Sequence, residues 1–68
     1  MNEDALNMSI RKLLKKVGIT SQREIEIAVR KALEEGKLAG KSSLSVAVKL
    51  HLPELDLDHE IKGKIELE

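Results

Sequence analysis

The sequence of 68 residues contains no cysteine, no aromatic residue and only one proline. Without cysteine the chain can form neither a disulfide nor a thiolate metal site, which fits a reducing cytoplasm. Without Phe, Tyr or Trp it lacks aromatic cages for cations, stacking platforms for single-stranded nucleic acid and the commonest anchors of protein interfaces. Any core must therefore be built from aliphatic side chains.

Long apolar segments are also missing. No stretch approaches the roughly 20 residues that a transmembrane helix needs, and the opening MNEDALN lacks the basic and apolar regions of a signal peptide. We therefore expect a cytoplasmic protein with no membrane contact. A chain of this length predicts a single domain over residues 1–68, of modest stability because it buries only about 60% of its unfolded surface.

The first half of the chain carries apolar residues at helical spacing. A helix is predicted over 3–17, with Asn2 as its N-cap and Gly18 as a left-handed stop. Its apolar stripe consists of Leu6, Ile10, Leu13, Leu14 and Val17. A second helix is predicted over 22–35, where Ser21 and Glu24 form a capping box and Gly36 ends the helix. Its stripe consists of Ile25, Ala28, Val29, Ala32 and Leu33.

The second half changes to the alternation of a β-strand. Strands are predicted over 44–52 and 57–67, joined by a four-residue loop from Pro53 to Asp56, because proline fits poorly in a two-residue hairpin turn. In this register Lys49 faces Glu60 and His51 faces Asp58. A six-residue loop would instead place Lys49 opposite Lys62, which is unfavourable.

The patterns together predict an α+β fold of two helices followed by a β-hairpin packed on them. The apolar face of the hairpin needs a cover, and the two helical stripes are the apolar surfaces available for it. The residues predicted to be buried in this shared core are Leu13, Leu14, Ile25, Val29, Leu33, Val48, Leu50 and Ile61.

The segments Met8-Ser9-Ile10-Arg11-Lys12 and Gly18-Ile19-Thr20-Ser21-Gln22-Arg23-Glu24-Ile25-Glu26 are similar to the start of a family of short bacterial proteins of unknown function. The closing hairpin also resembles theirs, so the similarity runs the length of the chain. The resemblance implies a bacterial origin and a stand-alone protein. It implies no activity, ligand or site residues.

Two features favour nucleic-acid binding as an alternative function. Val17 to Gln22 resembles in part the turn of a helix-turn-helix protein, with the hairpin as a wing, but the second helix carries more acidic than basic residues. The stronger feature is a basic cluster near the end of the first helix, which could follow a phosphate backbone or simply solvate the outer face. The cluster consists of Arg11, Lys12, Lys15 and Lys16.

The sequence predicts no enzyme, no cofactor and no metal site. Serine, histidine and aspartate are present, but without a nucleophile elbow or a phosphate-binding glycine loop. Histidine and acidic residues gather near the hairpin loop, yet their spacing is not that of a metal site, and they are explained as solvating and pairing groups. They are His51, Asp56, Asp58, His59 and Glu60.

The function favoured by the sequence is a non-enzymatic interaction module that self-associates. Met8 and Ile27 lie off their helical stripes and should be exposed, as binding residues often are. The first strand presents Ser45, Ala47 and Lys49, with little charge, whereas the second strand presents charged residues that resist stray pairing. We therefore expect two copies to pair through the first strand, with Ala47 near the twofold axis.

Overall fold

The computed structural model describes residues 1–68, which form one helix and one hairpin. Helix α1 spans Glu3–Glu34, strand β1 spans Ser43–Leu52, a 3₁₀ turn covers Pro53–Leu55, and strand β2 spans Leu57–Glu66. The chain divides into two compact units, Met1–Leu38 and Ala39–Glu68. The α+β class is confirmed, while the single-domain organisation stays a prediction.

The start of α1 is the predicted one. The N–H of Ala5 donates to Oδ1 of Asn2 at 3.0 Å, and the N–H of Leu6 donates to the carbonyl of Asn2, also at 3.0 Å. Glu3 and Asp4 occupy the first turn, where the positive end of the helix dipole favours carboxylates. Asn2 therefore satisfies backbone groups that would otherwise lack partners.

The predicted break at Gly18 is wrong, because α1 continues through it to Glu34 and is 32 residues long in total. The reason lies in the phase of the two stripes: Ile10 and Ala28 are 18 residues apart, which is five full turns, so both stripes lie on one side of a single helix. A glycine inside a helix costs about 1 kcal/mol relative to alanine. This cost is smaller than that of losing the backbone hydrogen bonds of the helix at a break. Ser21 and Glu24 accordingly lie within the helix, not in a capping box.

The end of α1 at Gly36 is confirmed. Gly36 has a φ of 72°, its N–H donates to the carbonyl of Leu33 at 3.2 Å, and the N–H of Lys37 donates to the carbonyl of Ala32 at 2.9 Å. These two bonds are the Schellman motif. They satisfy the last carbonyls of the helix while the chain turns away.

The hairpin has the predicted register. Strands β1 and β2 pair antiparallel, with Lys49 opposite Glu60, His51 opposite Asp58, and a four-residue connection. Pro53 begins the 3₁₀ turn, where its missing N–H is not needed. Asp56 then adopts a φ of 53°, a left-handed conformation that aspartate tolerates better than most residues.

None of the residues predicted for the shared core is buried, and no other side chain in the chain is buried either. Of the predicted core residues, Ile25 and Val29 are half-buried, and the other six are exposed. Within the first unit the physical cause is the missing break, because one continuous helix has no second helix to pack against its apolar stripe. All the residues that are even half-buried are Ser21, Ile25, Val29, Ala32, Leu38, Ser43, Leu44, Val46, Ile65 and Leu67.

Candidate self-association surface

The first apolar surface lies on the N-terminal half of α1. We call it the helix stripe, and it consists of Leu6, Ile10, Leu13, Leu14 and Val17. Each of these side chains is between 39% and 56% exposed. In the folded state of one chain, the stripe therefore keeps a large part of its apolar surface in water.

The second apolar surface is one face of the hairpin. Strand pairing sets Val48 beside Ile61 and Leu52 beside Leu57 on this face. Their exposed fractions run from 40% for Leu57 to 56% for Ile61. The face is more protected at the open end of the hairpin, where Leu44, Val46, Ile65 and Leu67 are half-buried.

The opposite face of the hairpin is polar, and its two strands differ. Strand β1 presents Ser45, Ala47 and Lys49, three of the residues predicted for self-association. Strand β2 presents five charged side chains in alternation: Asp58, Glu60, Lys62, Lys64 and Glu66. The edge of β1 is thus lined mainly by small side chains, while that of β2 is lined by charges, which hinder pairing with another strand.

A shallow groove of about 550 Å³ lies over the same polar face. It passes over Ala47 and is bounded by Ser45, Lys62 and Lys64, among others. No buried polar side chain points into it. The groove exists because small residues on β1 stand beside long ones on β2, and it contains no group that would fix a small ligand.

Met8 and Ile27, the other two residues predicted for self-association, are 71% and 56% exposed. They are 19 residues apart on α1, which places them about 28 Å apart along the axis and about 100° apart around it. The structure therefore does not bring them onto one surface.

The basic cluster lies on the outer surface of the N-terminal half of α1. Arg11, Lys12, Lys15 and Lys16 are all exposed, and none of them forms an ion pair. At about 100° per residue they lie on the side of α1 opposite the helix stripe. The predicted turn from Val17 to Gln22 is helical, however, so the partial helix-turn-helix resemblance was wrong.

The histidine and acidic residues near the hairpin loop do not converge. Nδ1 of His51 lies 2.5 Å from Oδ1 of Asp58, its cross-strand neighbour, and both side chains are largely exposed. His59 lies on the other face of β2. No group of three histidine, cysteine or acidic side chains is arranged to hold a metal ion.

Comparison with known protein families matches residues 1–68 to a family of unknown function (DUF6494). The chain belongs to this family. It matches no curated protein and no solved structure. The family membership agrees with the resemblance seen in the sequence, and it supplies no activity or site residue. None of the helices meets the length and hydropathy needed to cross a membrane.

The feature that the sequence reading missed is the exposure of the helix stripe over an uninterrupted helix. The signal was present, because residues 10, 14, 17, 21, 25, 28 and 32 follow the helical period without a break. Gly18 concealed it, since a glycine after an apolar stripe is also the usual sign of a helix end.

Proposed function

We propose that this chain is a non-enzymatic interaction module that self-associates, with its apolar core formed between copies. The observation that carries the proposal is that no side chain of the single chain is buried. The helix stripe has the helical spacing of an apolar surface that packs against another element. The apolar face of the hairpin has the two-residue alternation of a sheet with one buried face. A second copy supplies the same two surfaces.

A non-enzymatic role is supported by the polar contacts. The side-chain hydrogen bonds beyond the Asn2 cap join Ser9 to a backbone carbonyl, Gln22 to Glu26, and His51 to Asp58. No serine or threonine hydroxyl lies within hydrogen-bond distance of a histidine or carboxylate base. The proposed role therefore does not involve covalent catalysis by a serine or threonine activated by such a base.

Sedimentation equilibrium of the wild-type chain tests the proposal. We expect a dimer or larger oligomer at micromolar concentration, with a melting temperature that rises with chain concentration because assembly stabilises the fold. Circular dichroism is the right probe of folding, since the chain has no aromatic residue. A folded species that stays monomeric at about millimolar concentration would contradict self-association.

Two substitutions on α1 sharpen this test. Leu14 and Ile19 are 56% and 57% exposed in the single chain, but Leu14 belongs to the helix stripe and Ile19 lies on the other side. If a second copy covers the stripe, Leu14→Ala should cost about 2 to 5 kcal/mol per chain. Ile19→Ala should change stability by less than about 0.5 kcal/mol, because alanine is the better helix former.

Urea unfolding of both variants at one chain concentration gives the two values. Equal and small effects at both positions would mean that the helix stripe remains in water.

The second candidate function is binding to nucleic acid through the basic cluster. It is favoured by four exposed cations without ion-pair partners on one side of α1. A gel shift with random duplex DNA tests it. We expect no binding below about 1 µM at physiological salt, since nonspecific binders reach only about 10⁻⁴ to 10⁻⁶ M. Tight binding that weakens steeply with salt and disappears in Lys12→Glu/Lys16→Glu would make this the leading function.

A further inference from the structure

We propose that two copies pair β1 against β1 in antiparallel orientation, across a twofold axis at Ala47, to form a four-stranded sheet. This inference rests on the proposed self-association and specifies its partner, edge and register. The hairpin leaves one row of backbone N–H and C=O groups on the outer edge of each strand without a strand partner.

One hydrogen bond fixes which backbone groups of β1 point outward. The N–H of Leu67 donates to the carbonyl of Ser42 at 2.9 Å, and these two residues are the next pair beyond Ser43 and Glu66 in the register. Hydrogen-bonded and non-hydrogen-bonded pairs alternate along an antiparallel ladder. The residues whose N–H and C=O groups point away from β2 are therefore Ser43, Ser45, Ala47, Lys49 and His51.

The side-chain pattern then limits the register. A pairing that shifts one strand by a single residue would place apolar side chains of one copy beside polar side chains of the other, so the twofold must lie at a residue and not between two. With the axis at Ala47, Val46 faces Val48 of the second copy and Leu44 faces Leu50. The apolar faces of the two hairpins then join into one.

Hydrogen-bond satisfaction selects Ala47 among the remaining axes. At Ala47, every outward-pointing residue of β1 has a partner: Ser43 faces His51, Ser45 faces Lys49, and Ala47 faces itself. With the axis at Val48, Ser43 would face Pro53, which has no N–H. With the axis at Lys49, two like charges would meet directly.

The edge of β2 is a poorer partner for a second copy. If two copies paired β2 against β2 over the full length of the strand, Lys62 would face Lys62 of the second copy and Asp58 would face its Glu66. Both of these pairs carry like charges. Shifting one β2 strand along the other to relieve these contacts places Glu66 opposite Asp56 in the loop, which again brings two acidic residues together. In the proposed sheet the two β2 strands are the outer edges, where their charges stop the addition of further strands. The assembly is therefore closed at two copies.

Single-cysteine variants test the register, because the chain contains no other cysteine. Residues in a hydrogen-bonded antiparallel pair have Cα atoms about 5.5 Å apart, within the range of a disulfide. Under mild oxidation we expect Ala47→Cys to give covalent dimers, while Val48→Cys and Lys62→Cys stay largely monomeric on a non-reducing gel. Efficient cross-linking through Val48→Cys or Lys62→Cys instead would overturn the register or the edge.

A proline pair tests the same edge by loss of association. Ala47 and Lys62 face each other in a non-hydrogen-bonded pair of the hairpin, so proline at either site removes only an outward N–H and no bond between β1 and β2. We expect Ala47→Pro to sediment as a monomer at concentrations where the wild type is dimeric, and Lys62→Pro to remain dimeric.

The two proposals fail in different ways. If the wild type is oligomeric while Ala47→Pro associates equally well and Ala47→Cys does not cross-link, the β1 interface is wrong and self-association stands. If the wild type is a folded monomer, self-association itself is wrong.

Discussion

Two regions of the first unit contain the same local signal and adopt different structures. Gly18 and Gly36 each follow an apolar stripe at helical spacing, yet α1 passes through Gly18 and ends at Gly36. Gly36 has a positive φ, as does Gly40, whereas Gly18 does not. A glycine therefore permits a helix to end, but what lies beyond it decides whether it does.

The segments that follow the two glycines explain the difference. Beyond Gly18, Ile25 and Ala28 continue the apolar stripe in phase, so continuing the helix extends one face. Beyond Gly36, a helix would have to include Gly40 at a cost of about 1 kcal/mol for each glycine, followed by two serines that favour caps and turns. The chain gains no apolar face there, and the Schellman bonds are the better alternative.

The largest effect that would test this contrast is expected at Gly36. Gly36→Ala forces a side chain into a left-handed conformation, which costs roughly 1 to 2 kcal/mol. The melting temperature should fall by several degrees, since about 1 kcal/mol corresponds to roughly 4 to 8 °C in a domain of this size. Thermal unfolding followed at 222 nm measures it, at the wild-type chain concentration. An unchanged melting temperature would mean that the helix does not end at a left-handed Gly36.

The opposite and smaller effect is expected at Gly18. Apart from its chain neighbours and the adjacent backbone of α1, no atom lies within 4 Å of the position that a Cβ would occupy there. Gly18→Ala should therefore stabilise the helix by about 0.4 to 1 kcal/mol and raise the helical signal at 222 nm. A loss of stability would restore the two-helix arrangement, because a left-handed stop at Gly18 would be strained by alanine just as Gly36 is.

The same contrast shows what the sequence determines. The hairpin register was predictable because charge pairing between Lys49 and Glu60 distinguishes two loop lengths, and both residues are close in sequence. The cap at Asn2 and the end at Gly36 were predictable from local chemistry. The continuity of the helix at Gly18 depends on the phase of the apolar stripe over 18 residues. The sequence prediction gave more weight to the local helix-end signal of the glycine itself. The exposure of Leu14 could not be read at all, since it depends on whether a second helix folds back.

The pairing within the hairpin has a kinetic consequence. Its most distant hydrogen-bonded partners are Ser42 and Leu67, and every hydrogen bond of α1 is closed within a few residues. Chains whose contacts are this local form their structure within microseconds to milliseconds, because little loop-closure entropy precedes each contact. A refolding phase slower than that, and faster at higher chain concentration, would report the meeting of two chains.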